Sequence, residues 1–215
     1  MSRLSDQRGF TLMELMVATT LFMVILLATL ASLDGFQKTT RAAERQNEAQ
    51  GAARTAIDRL ATELRNAGGQ AASILKAGSA DVVFSTVDTS TTPTAGGNEA
   101  NLKYVRYCQT GTTLVRQQQT WTTAAAPTMG ATTLCPGTSP WSASTTVVEN
   151  VRNTTAPCAP TATVAPCPIF TYDDSTPLTD VRQIGLHLII DVDTVVRPTA
   201  TRIETGVAIR NQVTG

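Results

Sequence analysis

Residues Arg8–Leu33 read R-G-F-T-L-M-E-L-M-V-A-T-T-L-F-M-V-I-L-L-A-T-L-A-S-L, and the architecture of the chain follows from this stretch. From Phe10 to Leu33 there are 24 residues, of which only Glu14 is charged. About 20 apolar residues cross the hydrocarbon core of a bilayer as a helix, so the run is long enough to span. A carboxylate at the centre of such a helix costs roughly 2.5–3.5 kcal/mol on insertion scales, which makes an intramembrane acid a functional residue by default. The segment before the run, Met1–Gly9, is short and polar, with Arg3, Asp6 and Arg8. A secretory signal peptide has roughly 7–15 apolar residues followed by a small-residue cleavage site. Here the run is longer and the small residue, Gly9, precedes it. The expectation is a single membrane-spanning helix that stays in the mature chain. Its polar tail is then cytoplasmic, and the bulk of the protein lies outside the inner membrane.

The helical pattern continues past Leu33. Asp34–Ala67 contains no proline, and Ala53, Ile57, Leu60, Ala61, Leu64 and Ala67 recur at spacings of three and four, the stripe of a half-buried amphipathic helix. Asp58, Arg59, Glu63 and Arg65 take the other side, while Glu44 and Glu48 repel mildly at four residues apart. Gly35 and Gly51 are weak points, and Gly68-Gly69 supplies a stop where glycine accepts the left-handed conformation. The expected helix is Phe10–Ala67.

Beyond Gly69 the periodicity changes. Segments Asp81–Val87, Asn101–Cys108, Thr112–Gln118, Thr145–Asn150, Ile169–Tyr172, Val181–Asp191 and Arg202–Arg210 are rich in Val, Ile, Thr and Tyr and bounded by Gly, Pro, Asn and Asp. Gln109-Thr110-Gly111 joins two of them as a hairpin. Alternation places Leu186, Leu188 and Ile190 on one face of their strand and His187 and Ile189 on the other. Thr89–Gly97 and Trp121–Ser144 read as loops. One long helix followed by a run of strands predicts an α+β fold, the helix packed against an antiparallel β-sheet. The expected organisation is a leader at 1–9, a membrane helix at 10–33, its amphipathic continuation at 34–68 and a β-rich domain at 69–215.

The chain has 215 residues with 17 basic and 17 acidic side chains. Neutrality argues against a general nucleic-acid binder, whose footprint is a basic excess. Cys108, Cys135, Cys158 and Cys167 all lie beyond the apolar helix, which fits disulfides in an oxidising compartment, with buried free thiols as the alternative. Spacings of 27, 23 and 9 residues are too wide for the close pairs of a zinc site. Four cysteines allow three connectivities; the expected one closes the short Pro-rich loop with Cys158–Cys167 and leaves Cys108 with Cys135.

Gly9-Phe10-Thr11-Leu12-Met13-Glu14-Leu15-Met16-Val17, behind a short charged leader and ahead of an uninterrupted apolar helix, resembles the cleavage and methylation region of type IV pilins and type II secretion pseudopilins. The stretch Arg54–Gly68 resembles the larger W-type minor pilins and J-type minor pseudopilins. Many major pilins carry a proline inside the apolar half, and this chain has none. The resemblance implies a structural filament subunit, a minor pilin acting in filament initiation and assembly, with a J-type pseudopilin or a tip subunit binding DNA or a surface as alternatives. It also implies a prepilin peptidase that cuts between Gly9 and Phe10 and N-methylates Phe10. Glu14 would then pair with the cationic Phe10 amine of an adjacent subunit. The implied partners are that peptidase, other major and minor pilins, an inner-membrane assembly platform and the lipid bilayer.

No catalytic constellation stands beside this reading. His187 is the only histidine, and no G-x-S-x-G is present. Asp173-Asp174 and the pair Asp191 and Asp193 are read as solvated turns, because calcium asks for about six to eight oxygens. No metal or cofactor is expected. Lys103, Arg106 and Arg116 are read as a solvated face, with a small basic DNA patch as the alternative. Trp121 and Trp141 are read as lids on the sheet, with exposed binding anchors as the alternative.

Overall fold

The computed structural model describes residues 11–68, 73–87, 102–120, 128–158, 166–174, 177–192 and 200–209. Among the described residues, one α-helix, α1 (Leu12–Arg65), is followed by eight strands. These are β1 (Ile74–Ala77), β2 (Asp81–Val87), β3 (Leu102–Thr110), β4 (Thr113–Thr120), β5 (Thr145–Val148), β6 (Phe170–Tyr172), β7 (Gln183–Ile190) and β8 (Thr201–Ala208). The chain divides into two units, Met1–Arg45 and Gln46–Gly215. Helix α1 continues through both Gly35 and Gly51.

In the second unit, the strands form the expected antiparallel β-sheet domain, divided into two sheets with orders β1-β2-β3-β4-β5 and β6-β7-β8. The Val151↔Ile190 bridge, with the Arg152 amide donating to the Ile189 carbonyl at 2.8 Å, joins the first sheet's last crossover to β7. Periodicity alone does not separate one eight-stranded sheet from two, because each strand keeps its two-residue alternation either way. Strand β1 has no counterpart among the expected strands. Its four residues, I-L-K-A, are too few to show an alternation, and pairing with β2 is what makes them a strand.

The helix stripe expected from the 3.6-residue period is buried: Ala53, Ile57, Leu60, Ala61, Leu64 and Ala67, joined by Ala56. It packs on Val82, Phe84, Val105, Tyr107 and Leu114 of the first sheet and on Ile184, Leu186, Leu188 and Ile190 of the second. The alanines keep the helix surface low, so the large side chains come from the strands. Phe84 and Tyr107 lie with ring planes 4° apart and centroids at 6.3 Å. The helix ends where Ala67 bridges Thr86 and the Gly68 amide donates to the Ser85 carbonyl at 2.9 Å; Gly69, the second half of the expected stop, lies outside the described residues.

The β3–β4 turn is Gly111-Thr112, one step later than expected, since Gln109 and Thr110 stay in the ladder opposite Leu114 and Thr113. Gly111 takes φ +55°, as the first central residue of a primed two-residue turn asks. The opposite face of the first sheet is covered by a strap, residues 128–142, whose Trp141 packs on Val83, Leu102 and Tyr104. Trp141 is thus a lid, with its indole N–H donating to the Ala131 carbonyl at 3.1 Å. Trp121 and the loop Thr89–Gly97 lie outside the described residues.

Candidate processing and assembly site

Helix α1 begins immediately after Thr11, whose hydroxyl accepts the Glu14 amide at 3.3 Å and whose carbonyl accepts the Leu15 amide at 3.2 Å. Thr11 is therefore an N-cap, with Glu14 three residues on, the spacing of a capping box. A negative side chain in the first turn also suits the positive end of the helix dipole. Gly9 and Phe10 lie outside the described residues.

From Leu12 to Leu33 the large apolar side chains are exposed in this chain, Leu12 at 77%, Phe22 at 64% and Leu33 at 55%. No residue of the most apolar 18-residue window is buried. So large an apolar surface needs a covering of lipid or of other chains. The hydroxyls on it are satisfied within the helix. Thr19, Thr20 and Thr29 donate to the Met16, Val17 and Leu26 carbonyls at 3.0, 2.9 and 2.8 Å, and Ser32 donates to the Ala28 carbonyl at 3.0 Å. Back-bonding of this kind hides the polar group from an apolar surrounding. Glu14 is left as the one charged group of the stretch, and no cation pairs with its carboxylate among the described residues.

The chain carries the prokaryotic N-terminal methylation motif. The family model of that description matches residues 4–30, and the motif is the signature of type IV pilins and pseudopilins. No curated protein and no solved structure gives a match. A prepilin-type motif implies processing by a prepilin peptidase and assembly with other pilins, and it points to a structural protein rather than an enzyme. Motif and apolar helix together fit a single-pass, membrane-anchored pilin-like chain with a C-terminal globular domain.

In the second unit, the structure corrects the reading of Arg106 and Arg116 as a solvated face. Arg106 points to the strap side, 1% exposed as a side chain, with Nε and Nη2 donating to the two Asp81 carboxylate oxygens at 2.9 and 2.8 Å. Lys76 also reaches Asp81, and both cations donate to the Thr132 carbonyl of the strap, at 3.0 and 3.1 Å. Arg116 faces the opposite way, beside Tyr107 in the β3–β4 register. Its Nε and the Tyr107 hydroxyl both donate to Glu63 Oε2, at 3.1 and 2.8 Å. Burial, then the charge and hydrogen bond of Glu63, push the Tyr107 phenol well above its ordinary 10.0. Burial works to lower the Arg116 guanidinium, and the bond and charge of Glu63 outweigh it and push it up. Two of the three cations of the candidate DNA patch are therefore spent inside the domain, on opposite faces of the sheet.

Glu63, assigned to the solvated side of the helix by periodicity, sits at the edge of the buried face and ties α1 to β3 and β4. No local signal marks it, because its partners Tyr107 and Arg116 are brought to it by β3 and β4.

The structure pairs Cys108 with Cys135 and Cys158 with Cys167, with Cα–Cα separations of 6.1 and 4.7 Å. The second stem is held by Asn153, 1% exposed, which donates to the Cys167 and His187 carbonyls at 3.3 and 2.9 Å and accepts the Ile189 amide at 2.9 Å. His187 lies 3.6 Å from Glu204 and 3.4 Å from the Thr171 hydroxyl on the outer face of β7. Asp173 is engaged by backbone rather than open to a cation: both its oxygens accept the Arg182 amide, at 3.1 and 3.3 Å. Slight burial pushes its carboxyl up, and the backbone amides outweigh this and hold it below the usual range. Asp193 lies outside the described residues.

Proposed function

We propose that the protein is a minor pilin, a structural subunit that contributes to initiation and assembly of a type IV filament. The observation that carries this reading is the helix Leu12–Leu33, exposed along its apolar length and bearing one charge, directly behind a prepilin-type leader. The leader is cut between Gly9 and Phe10 by the prepilin peptidase, which then N-methylates Phe10. Gly9 suits that position because a residue without Cβ lets the protease approach the backbone closely. The cut leaves the anchor in place and puts a cationic amine at its start.

In the inner membrane the helix is covered by lipid, and in the filament by the helices of other pilins. Glu14 supplies the specificity of that exchange. A carboxylate and an ammonium are each costly alone in a low dielectric, and pairing between subunits relieves both costs. The pair forms only when neighbouring helices take one axial offset, so it sets register as well as affinity. The sheets lie outside the membrane and determine which subunits meet this one.

The test is Gly9→Ala in the producing cell. Mass spectrometry is expected to find the uncut precursor in the membrane and none of the protein in sheared filaments. Recovery of unprocessed chain from filaments at the normal level overturns the reading.

A further inference from the structure

The strap at 128–142 is attached differently from the rest of the second unit. The main core contains no strap residue. Its large apolar contacts are Trp141 and, partly buried, Met129, while Leu134 in its middle is 65% exposed. The rest of its hold is polar. Gln117 and Gln119, 2% and 5% exposed on β4, read its backbone as a neighbouring strand would. The Gln117 side chain accepts the Gly137 amide at 2.7 Å and donates to the Gly137 carbonyl at 2.9 Å. The Gln119 side chain accepts the Gly130 amide at 3.0 Å and donates to the Thr128 carbonyl at 3.0 Å.

Closure also has a cost. Arg106 Nη1 is buried with no hydrogen-bond partner. The strap passes so close that a Cβ on Gly137 would meet that nitrogen at 2.9 Å and Trp141 Cδ1 at 2.7 Å. A buried unpaired N–H opposes closure, while each amide contact favours it only modestly, net of the water it displaces; the Thr132 carbonyl of the strap also accepts Lys76 and Arg106, at 3.0 and 3.1 Å. The one covalent tie is Cys108–Cys135, which fixes the middle of the strap to a strand paired on both sides.

We infer that Cys108–Cys135 is a redox latch: oxidised, it holds the strap closed over the outer face of the first sheet; reduced, it lets the strap lift and bare Tyr104, Gln117, Gln119 and Trp141 while helix and sheets stay folded. A dithiol opens it by breaking the S–S bond. Each cysteine sulfur takes a proton, and the dithiol's two sulfurs join as the new disulfide. With the domain outside the cytoplasm, the strap closes only after export.

The experiment uses the full chain in detergent, with and without dithiothreitol, and the variants Cys135→Ser and Cys158→Ser. Hydrogen exchange is read at the Gly130 and Gly137 amides and at the β2–β3 ladder. The expected result is at least tenfold faster exchange at both glycines after reduction or in Cys135→Ser, with the ladder unchanged and Cys158→Ser behaving as the wild type. In a Trp121→Phe background, acrylamide quenching of Trp141 rises in parallel. Unchanged protection at Gly130 and Gly137 overturns the latch, because the strap then holds without it. Equal loss of protection in the β2–β3 ladder overturns it too, because the disulfide is then a staple of the whole domain.

Discussion

Glu14 and Glu63 are both helix carboxylates, and their surroundings give them opposite tasks. Glu14 stands on an exposed apolar helix with no cation bound to it among the described residues, and on the proposed reading its partner is the amine of another chain. Replacing it with alanine removes a charge from an apolar helix and favours insertion. The partner amine, however, is left unpaired in the filament, a loss of about 3 kcal/mol or roughly a hundredfold in assembly equilibrium. Glu14→Ala is therefore expected in the membrane fraction at normal abundance and depleted from sheared filaments; normal filament content would remove the assigned role. Glu63 has its partners in its own chain. Glu63→Ala leaves Arg116 buried without its carboxylate and is expected to lower unfolding free energy by about 3 kcal/mol. Denaturant unfolding of the full chain in detergent reads this directly, and Tyr107→Phe, which removes a single hydrogen bond, is expected to cost only about 1 kcal/mol.

At the scale of the element, α1 is a helix assembled from two kinds of surface. Its first part is apolar all round, and its last part is a seam of alanines and branched residues facing the strands. Gly51 in this last part faces open space: a Cβ there would meet nothing within 4 Å, so no contact in the chain requires glycine. Gly51→Ala is expected to stabilise the full chain by about 0.5–1 kcal/mol, since glycine is that much poorer than alanine inside a helix. A thermal midpoint that rises supports this, and one that falls shows that the backbone at Gly51 is bent or packed. The same seam explains what periodicity read well and what it missed. Ala53, Ile57, Leu60 and Leu64 follow from spacing alone, because a helix against any flat apolar surface buries that stripe. Glu63 does not, because its place depends on where β3 and β4 put Tyr107 and Arg116.

For the whole molecule, the buried phenols make stability depend on alkaline pH. Burial pushes Tyr107 and Tyr172 above their ordinary 10.0, helped by Glu63 at the first and Asp81 at the second. Below that value both folded and unfolded chains keep these protons, and the contribution is intact. Above it the unfolded chain releases protons that the folded one retains, so stability falls as pH rises, by about 1.4 kcal/mol per pH unit per tyrosine. Thermal midpoints are expected to be flat in this contribution up to about pH 10 and to drop beyond it, with a shallower drop in Tyr107→Phe. Tyrosinate absorbance that appears before the loss of ellipticity would contradict the assignment.

The amino-acid sequence by itself determined the parts of this protein that depend on local pattern. The leader, the apolar run, the position of Glu14 and seven of the eight strands are legible because each is set by composition or spacing within a few residues. The alternation Leu186, Leu188, Ile190 is legible for the same reason, and all three are buried on the helix side. What only the tertiary structure decided is how charge and strand edges are disposed. Arg106 and Arg116 look like surface cations in the sequence. They become interior ones because Asp81 and Glu63 arrive from 25 and 53 residues away to neutralise them. The division into two sheets, the strand at Ile74–Ala77 and the strap that lays Trp141 on the first sheet are decided in the same way, by pairings between distant segments that no local period encodes.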